Sequence, residues 1–300
     1  MNRIVECVPN FSEGRDLEKL ERILLPLRSA KNCTLLDYSA DKDHNRAVVT
    51  VMGDPQSVKN AVIEAMGIAI GEIDMNLHKG EHPRMGAIDV VPFIPIKDMT
   101  MEEAALLARE TAEEAAGRFG LPVYLYEKAA ASAARENLAT VRKGEYEGLS
   151  EKMKLTEWKP DFGPYHPHPT AGATAVGARM PLVAFNINLG TNNLEVADKI
   201  AKCIRHISGG YRYTKAMGVD LKEKGIVQVS INMTDYTKTA LYRVFETVKF
   251  EAQRFGVPVV GSEIIGLTPM DALIDAAVYY MQIEDFNKKQ VIETRLLEEK

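Results

Sequence analysis

Two spacings of hydrophobic residues recur along this chain: the three-to-four-residue spacing of amphipathic helices and the short apolar runs of strands. Asn192 and Glu195 have the spacing of a capping box, which favours a helix start in the second half. The elements predicted there, in order, are a strand at 181–188, a helix at 193–207, strands near 216–221 and at 226–233, a helix at 237–255 and a strand at 257–264. This β-α-β-β-α-β order is typical of the ferredoxin-like split βαβ sandwich.

The first half follows the same order with an added piece. Its predicted elements are strands at 3–9, 33–38, 46–52, 88–94 and 122–126 and helices at 16–29, 55–70 and 100–119. Thr100 and Glu103 again have capping-box spacing. The strand at 88–94 and the loop before it have no counterpart in the second half, so we interpret them as an insertion.

Two pairs of segments indicate an internal repeat. Residues 118–123 (RFGLPV) match residues 254–259 (RFGVPV), and residues 4–11 resemble residues 182–189. A common helix-to-strand connection that arose twice is the alternative explanation of the first pair. The second pair favours duplication.

These patterns together predict an α+β fold of two ferredoxin-like (βαββαβ) subdomains related by duplication. We expect an N-terminal subdomain at 1–179 and a C-terminal subdomain at 180–300 that ends in a charged tail. A duplicated scaffold with one elaborated copy often places its ligand between the copies, so we also expect a ligand cleft there.

Composition narrows the classes of partner. The chain has 300 residues, of which 46% are hydrophobic and 26% charged, with a net charge of −5 and a pI near 5.8. This charge disfavours nucleic acid and membrane surfaces, but a local cluster of arginines and lysines still allows an anionic small molecule. Three scattered cysteines and the lack of a signal-peptide or membrane-spanning pattern predict a cytoplasmic location.

The chemistry is concentrated in residues 78–86 (HKGEHPRMG), called here the histidine loop. Histidine titrates near neutral pH and can move protons in an active site. Gly80 and Pro83 favour a shaped loop over a helix. A catalytic role is the functional interpretation, and a solvated loop is the alternative.

A zinc site is the competing interpretation of this loop, because His78, Glu81 and His82 match an inverted zinc-protease motif. That motif needs both histidines on one helical face. Gly80 interrupts it, and Pro83 pushes His82 out of helical space. We therefore expect no metal.

A proline-rich stretch, residues 158–179, joins the two predicted subdomains. Its prolines hold the backbone extended, which lowers the entropic cost of ordering it against a ligand. Tyr165, His166 and His168 supply flat faces suited to an aromatic heterocycle. A stiff linker without a ligand is the alternative.

Several motifs resemble one known family. They are residues 6–15 (ECVPNFSEGR), 80–86 (GEHPRMG), 160–163 (PDFG) followed by 172–174 (GAT), 184–189 (AFNINL) and 258–262 (PVVGS). The chain is similar to the glutamate formiminotransferase (glutamate formimidoyltransferase) family, also found as the front domain of formiminotransferase-cyclodeaminase. The resemblance implies a transferase of histidine degradation and one-carbon metabolism. It would move the formimino group of N-formimino-L-glutamate to N5 of tetrahydrofolate, its co-substrate, and release glutamate.

The resemblance also implies roles for particular residues. His82 matches the catalytic histidine, and residues 163–172 match the folate-binding segment. That segment comprises Gly163, Pro164, Tyr165, His166, Pro167, His168, Pro169, Thr170, Ala171 and Gly172. Ser39 stands where animal members have an acidic residue, so Asp37 or Asp43 is a candidate replacement.

Formimino transfer needs a base, and His82, with an unperturbed pKa of about 6.5, is the expected one. Glu81, Asp37 or Asp43 would stabilise the protonated formimino group. Other polar residues are candidates to bind glutamate or folate. They are Arg84 and Arg46, whose planar forks suit carboxylates, and Asn10 and Asn188 at matching strand ends.

Two other functions stay open. One is a related transferase that uses 5-formyltetrahydrofolate or another amino acid such as glycine, and the other is a non-catalytic folate-binding protein. The expected partners are the small-molecule substrates and a separate cyclodeaminase acting on the product, with a homodimer as an open alternative.

Overall fold

The computed structural model describes residues 3–80 and 82–298. The chain divides into two compact units, Met1–Arg179 and Met180–Lys300. Each unit contains a β-sheet with helices, which confirms the predicted mixed α+β class.

The first unit consists of alternating strands and helices whose starts carry clear capping signals. Asp16 and Asp54 cap the first two helices, and Thr100 forms the predicted capping box with Glu103 at the third. The elements are β1 (Ile4–Cys7), β2 (Asn10–Phe11), α1 (Leu17–Ser29), β3 (Cys33–Asp41), β4 (Arg46–Gly53), α2 (Pro55–Glu72), β5 (Ile88–Lys97), α3 (Met101–Phe119), β6 (Val123–Glu127), α4 (Leu138–Arg142), α5 (Leu149–Met153) and β7 (Thr174–Ala178).

The strands form one mixed sheet in the spatial order β3, β4, β1 with β2, β5, β7, β6. The short strands β1 and β2 share the position between β4 and β5, and both pair with those two strands. Apolar residues of α1, α2 and α3 cover one face of this sheet. Residues of α4 and α5 pack on the opposite face, in a cluster with residues of β5, β7 and β6.

Strand β5 corrects the predicted insertion. It pairs antiparallel with β1, so it occupies the position of the fourth strand in a β-α-β-β-α-β set. The additional elements are instead α3, β6 and β7. Residues 118–123 and 254–259 therefore lie at non-equivalent places, and their likeness is local: Gly120 and Gly256 both end a helix with left-handed backbone, at φ +63° and +67°.

Strand β7 corrects the interpretation of residues 158–179 as a linker throughout. Thr174–Ala178 is fully buried and runs parallel to both β5 and β6. Small residues such as Ala175 and Gly177 fit this position, since a Cβ at Gly177 would lie 2.6 Å from the ring and carbonyl of Tyr126. The alternation that marks half-buried strands is absent, because both faces of β7 are covered.

The second unit has the predicted element order. Its elements are β8 (Val183–Leu189), α6 (Leu194–Ile204), β9 (Thr214–Leu221), β10 (Ile226–Met233), α7 (Leu241–Arg254), β11 (Val259–Ile265), α8 (Met270–Met281) and α9 (Ile292–Glu298). The antiparallel sheet has the order β11, β8, β10, β9, and α6 and α7 cover one face.

Two predicted helix starts in this unit shift. Helix α6 is capped by Asn193 and not by Asn192, because Oδ1 of Asn193 accepts from the backbone N–H of Glu195. Helix α7 starts later than expected because the side chain of Asp235 accepts from the backbone N–H and hydroxyl of Thr237, which forms a turn. Across the described ranges, no helix has the length and apolar character needed to cross a membrane.

Candidate active site

His82 lies against the guanidinium of Arg46. Nη1 of Arg46 is 2.7 Å from Nε2 and 3.0 Å from Nδ1 of the imidazole. An arginine can only donate hydrogen bonds, so the imidazole nitrogen that accepts must carry no proton. Arg46 begins β4, and His82 follows the glycine-containing part of the histidine loop, which connects α2 to β5. The structure therefore joins the expected base to one of the expected carboxylate-binding residues.

A carboxylate not selected from the sequence also lies beside His82. Asn10 pairs with Val90 and Phe11 pairs with Ile88, so Asp89 is the extra residue of a β-bulge. Bulges often re-aim a side chain beside an active site. Here Oδ2 of Asp89 lies 4.0 Å from Nε2 of His82. This distance is too long for a direct hydrogen bond, although such contacts often tighten when substrate binds.

Asp89 is held by two partners and is 1% exposed. Arg142, the last residue of α4, donates to both carboxylate oxygens, and the backbone N–H of Met85 donates to Oδ1 at 3.1 Å. Arg142 thus reaches the site from a segment far along the chain. Burial raises the pKa of Asp89, and the guanidinium of Arg142 opposes that effect.

The electrostatic environment of His82 favours the neutral imidazole. Burial lowers its pKa to about 3, and the positive charges of Arg46 and Arg142 act in the same direction. The ordinary histidine value of about 6.5 does not apply here, because the ring is buried and lies beside two guanidiniums. Burial also lowers the pKa of Arg46. Two cations and one paired carboxylate leave the site with positive character, which suits an anionic substrate.

The histidine loop is shaped by the β3–β4 connection. Asn45, in left-handed conformation at φ +48°, donates from Nδ2 to the carbonyl of Lys79 and accepts at Oδ1 from the N–H of Gly14. A Cβ at Gly80 would lie 2.2 Å from the carbonyl oxygen of His44. Only glycine fits this close approach, and the contact explains why position 80 of the histidine loop is a glycine.

His78 has a structural position within the same loop. Its Nε2 donates to the carbonyl of Asn45 at 2.9 Å, and its Nδ1 accepts from Nε of Arg84 at 3.3 Å. These two bonds define a neutral tautomer, and burial lowers the pKa of His78. Within the described part of the chain, no group of three or more His, Cys, Asp or Glu side chains is arranged to hold a metal ion.

Arg84 does not present its fork to solvent. Its two terminal nitrogens pair with Glu147 at 2.9 and 2.7 Å, and Nη1 also contacts Glu145 at 3.2 Å. Glu147 occupies the guanidinium of Arg84 in this structure, so a carboxylate of glutamate would have to displace it, and the expected contact stays a prediction. These residues line a cavity of about 640 Å³ together with His78. Arg84 instead fastens the histidine loop to the segment after α4.

The expected folate-binding segment is attached to the histidine loop by its backbone. Gly86 and Gly172 form a bridge, the N–H of Ala87 donates to the carbonyl of Ala171, and the N–H of Ala173 donates to the carbonyl of Met85. A Cβ at Gly86 would lie 2.3 Å from two carbonyl oxygens of the opposite segment. The two expected ligand-binding segments are therefore neighbours in one unit.

Residues of the expected folate-binding segment differ in exposure. Tyr165 is 63% exposed, and Nζ of Lys159 lies 5.0 Å from the centre of its ring. His168 has a structural role: its Nδ1 accepts from the N–H of Ala171 at 3.0 Å and closes a turn. His166, Pro169 and Gly163 are exposed, Pro164, Pro167 and Thr170 are partly exposed, and Ala171 and Gly172 are buried.

The remaining candidates are more scattered. Asp37 and Asp43 are exposed, on β3 and in the turn before β4, and among the described residues neither carboxylate forms a hydrogen bond or ion pair with His82. Asn10 is buried on β2 and donates to the carbonyl of Val8, whereas Asn188 lies on β8 of the second unit. Glu81 lies outside the described residues.

Two family models match this chain. Residues 4–179 match the family model described as the formiminotransferase domain, N-terminal subdomain, and residues 184–297 match the model described as the formiminotransferase domain. The chain belongs to the formiminotransferase family. Membership of the formiminotransferase family, expected from the sequence motifs, is thereby confirmed.

Relatives within the formiminotransferase family match over most of the chain. A glutamate formimidoyltransferase of Streptococcus pyogenes serotype M1 is 53% identical over 99% of this chain and 100% of that protein. A glutamate formimidoyltransferase of Thermoplasma acidophilum is 44% identical over 98% of this chain and 97% of that protein. The formimidoyltransferase-cyclodeaminase of Mus musculus is 46% identical over 95% of this chain, which corresponds to 53% of that protein.

Asp89 and Arg142 are the site residues of this formiminotransferase-family chain that sequence reasoning missed. One signal was present, because Asp89 is a lone carboxylate in the apolar run IDVVPFI. A charged residue is rarely buried unless it is paired. Arg142 gave no comparable signal, since basic residues are common at the ends of helices.

Proposed function

We propose that this chain is a glutamate formimidoyltransferase. It transfers the formimino group of N-formimino-L-glutamate to N5 of tetrahydrofolate and yields 5-formiminotetrahydrofolate and glutamate. The family membership and the names of the full-length relatives support the reaction. The observation that carries the proposal is the neutral imidazole of His82 between a buried carboxylate and two guanidiniums.

His82 acts as the base. The lone pair of N5 attacks the formimino carbon and forms a C–N bond, and His82 takes the proton that N5 must lose. The tetrahedral intermediate then expels the glutamate nitrogen, and His82 returns the proton to it as the old C–N bond breaks. Asp89 orients the ring and stabilises the imidazolium that forms between these two steps. Glu81 and Asp37, the carboxylates expected from the sequence, remain further candidates for stabilising the protonated formimino group.

Arg46 binds a carboxylate of formiminoglutamate, as its planar fork allows. In the free protein, Arg46 and Arg142 lower the basicity of His82. A bound substrate carboxylate cancels part of this positive field, so the pKa of His82 rises when the substrate is in place. His82 is therefore a stronger base in the complex with formiminoglutamate than in the free protein.

Folate binds the segment 163–172, where the exposed ring of Tyr165 offers a stacking face. The turn closed by His168 and the glycines at both ends give the segment its shape. Asn10 and Asn188 stay proposed ligand contacts. The descent of the two units from one duplicated ferredoxin-like ancestor, the domain boundary near residue 179 and the ligand cleft implied by the resemblance also remain proposals. So do the cytoplasmic location, the homodimer and the separate cyclodeaminase.

The test is turnover of purified protein with formiminoglutamate and tetrahydrofolate, measured as release of glutamate and formation of 5-formiminotetrahydrofolate. Parallel reactions replace the donor with formiminoglycine or with 5-formyltetrahydrofolate. We expect kcat/KM to be highest with formiminoglutamate. A higher value with either alternative donor would assign a related transferase, and folate binding without turnover of any donor would assign a binding protein.

A further inference from the structure

A second histidine lies beside His82, in the turn that joins β3 to β4. The ring centroids of His44 and His82 are 6.3 Å apart, and the two rings meet edge to face at an angle of 70°. This separation is too long for a direct hydrogen bond between two imidazoles. A water molecule or a substrate atom between the rings is therefore needed to connect them.

Asp41 fixes the position of His44. Its Oδ2 accepts from Nδ1 of the ring at 2.9 Å, and its Oδ1 accepts from the backbone N–H groups of Asp43 and His44, each at 2.9 Å. The bond from the backbone N–H of His44 is the largest of the effects that hold the pKa of Asp41 below its ordinary value. The carboxylate is therefore ionised at neutral pH. An ionised carboxylate only accepts, so Nδ1 of His44 carries a proton.

The register of the β3–β4 hairpin places Asp41 beside the candidate active site. Asp41 lies directly opposite Arg46, and opposite residues of an antiparallel pair project their side chains from the same face. The guanidinium of Arg46 in turn contacts His82. Burial lowers the pKa of Arg46, and the negative charge of Asp41 opposes that effect. The pair formed by Asp41 and His44 thus borders the group formed by Arg46 and His82.

The two histidines differ in their access to water. The side chain of His44 is 50% exposed, whereas that of His82 is 19% exposed. Among the described residues, only Nδ1 of the His44 ring takes part in a hydrogen bond, which leaves Nε2 available. Histidine side chains exchange protons with water near neutral pH. His44 is therefore suited to carry protons between solvent and the site.

The proposed reaction requires one proton that His82 does not provide. With the formimino group protonated in both donor and product, the proton that N5 loses to His82 is the one returned to the glutamate nitrogen. Glutamate then leaves as a neutral amine, R–NH₂, whereas the amine of free glutamate is protonated at neutral pH, as R–NH₃⁺. One proton per turnover must therefore come from solvent. Until that proton arrives, the amine keeps the lone pair with which it can attack the product and reverse the transfer.

We propose that His44, held by Asp41, delivers this proton to the departing glutamate amine. The Nε2–H bond of the protonated ring breaks as a new N–H bond forms on the amine, and the neutral ring then takes a proton from water. Asp41 keeps Nδ1–H in place throughout, so Nε2 is the atom at which protons arrive and leave. This step rests on the proposed function, and it is separate from the one assigned to His82.

His44→Gln tests the step, because an amide side chain is not protonated at neutral pH. We expect kcat to fall roughly 10-fold or more, while KM for formiminoglutamate and folate affinity change little. Added imidazole, a diffusible proton donor, should restore kcat in this variant and leave the wild type unaffected. His206→Gln makes the same substitution at an exposed histidine of the second unit and should show neither the loss nor the response to imidazole.

Asp41→Asn provides a second test through the orientation of the ring. It should lower kcat less than His44→Gln, and the double variant should be no slower than His44→Gln alone, because both changes act on one group. Circular dichroism verifies that each variant is folded. If His44→Gln does not fold, the response of Asp41→Asn to imidazole decides the question.

Unchanged kcat in folded His44→Gln would overturn the proposal. A loss of kcat that imidazole does not relieve would also overturn it and would assign His44 a structural role. Turnover by the wild type distinguishes the two levels of the argument. A wild type that transfers no formimino group would remove the proposed function and this step with it, whereas normal turnover with an unaffected His44→Gln would remove this step alone.

Discussion

The imidazole of His82 and the carboxylate of Asp89 lie 4.0 Å apart, with Arg142 bound to the same carboxylate. A single residue inserted by a bulge in β5 creates this relationship, because it directs Asp89 away from the sheet ladder. His82 and Asp89 are thus separated by only six intervening positions in the chain. The loop between them is closed by backbone bonds to residues 171–173.

The two histidines of the histidine loop should have separable effects. His82→Ala should lower kcat by roughly 10²- to 10⁴-fold, because it removes the base. His78→Ala leaves the carbonyl of Asn45 and Nε of Arg84 without their partner, so it should reduce the free energy of unfolding by about 1–3 kcal/mol. Steady-state kinetics and urea unfolding measure the two effects. A greater loss of kcat in a folded His78→Ala protein would transfer the catalytic role to His78.

Asp89→Asn should lower kcat, by roughly 10- to 10³-fold, with little change in folate affinity, because it removes the group that orients His82. Asp220→Asn, at an exposed carboxylate of β9, is the matched control and should have a small effect. Since Arg142 would lose its charged partner, Asp89→Asn/Arg142→Gln serves as a second variant in which the unpaired buried cation is removed. If Asp37→Asn gives the larger loss of kcat, the carboxylate that assists His82 lies on β3.

Arg46→Gln should alter the pH dependence of kcat/KM. In the wild type, His82 is neutral down to about pH 3, so its protonation should not reduce kcat/KM between pH 7 and 5. Without the charge of Arg46 the pKa of His82 rises above about 3, while burial still holds it below the ordinary value, so the acidic limb of the profile should move to higher pH. KM for formiminoglutamate should rise as well. Arg22→Gln, at an exposed arginine of α1, is the control. An unchanged pH profile of kcat/KM in folded Arg46→Gln would show that this guanidinium does not lower the pKa of His82.

The lowered pKa of His82 also predicts a pH dependence of stability. Between the unfolded value of about 6.5 and the folded value of about 3, the unfolded chain binds the additional proton. Stability contributed by the neutral ring is therefore present above pH 6.5 and is lost as pH falls, by about 1.4 kcal/mol per pH unit.

His82→Gln should lose this dependence. The difference in unfolding free energy between wild type and variant should change by about 2 kcal/mol between pH 7 and pH 5, in favour of the variant at the lower pH. Denaturant titration at several pH values measures it, with His206→Gln as a surface control. If the unfolding free energies of wild type and His82→Gln change with pH in the same way, the ring of His82 is not held neutral in the folded protein.

Gly86→Ala should destabilise the site by roughly 1–3 kcal/mol, because the new Cβ meets the carbonyl oxygens of Ala171 and Ala173 at 2.3 Å. Gly117→Ala is the control within α3, where a Cβ meets no atom within 4 Å. That substitution should be neutral or stabilising by about 0.5–1 kcal/mol. Thermal unfolding compares the two. Equal melting temperatures of Gly86→Ala and Gly117→Ala would show that the segments around Gly86 and Gly172 can move apart without loss of stability.

Local patterns predicted most helices and strands, because capping residues and apolar periodicity are encoded within each element. They did not predict which strand of the first unit pairs with β1, since pairing depends on contacts distant in sequence. The motif around His82 indicated the proposed base, but the environment of that residue depends on Arg46, Asp89 and Arg142, which come from three elements. Likewise, Arg84 is a plausible carboxylate ligand in sequence, and only the fold shows Glu147 occupying it.

The backbone bridge between Gly86 and Gly172 joins two stretches of the chain. Neither stretch can therefore open without the other. Local fluctuations that expose residues 168–173 must break the same N–H···O bonds that hold residues 85–87. A ligand that orders the first stretch therefore removes conformational entropy from the second before any contact with His82 is made. Folate binding and preorganisation of the base would then be linked through a common local unfolding equilibrium, with no displacement of either segment required.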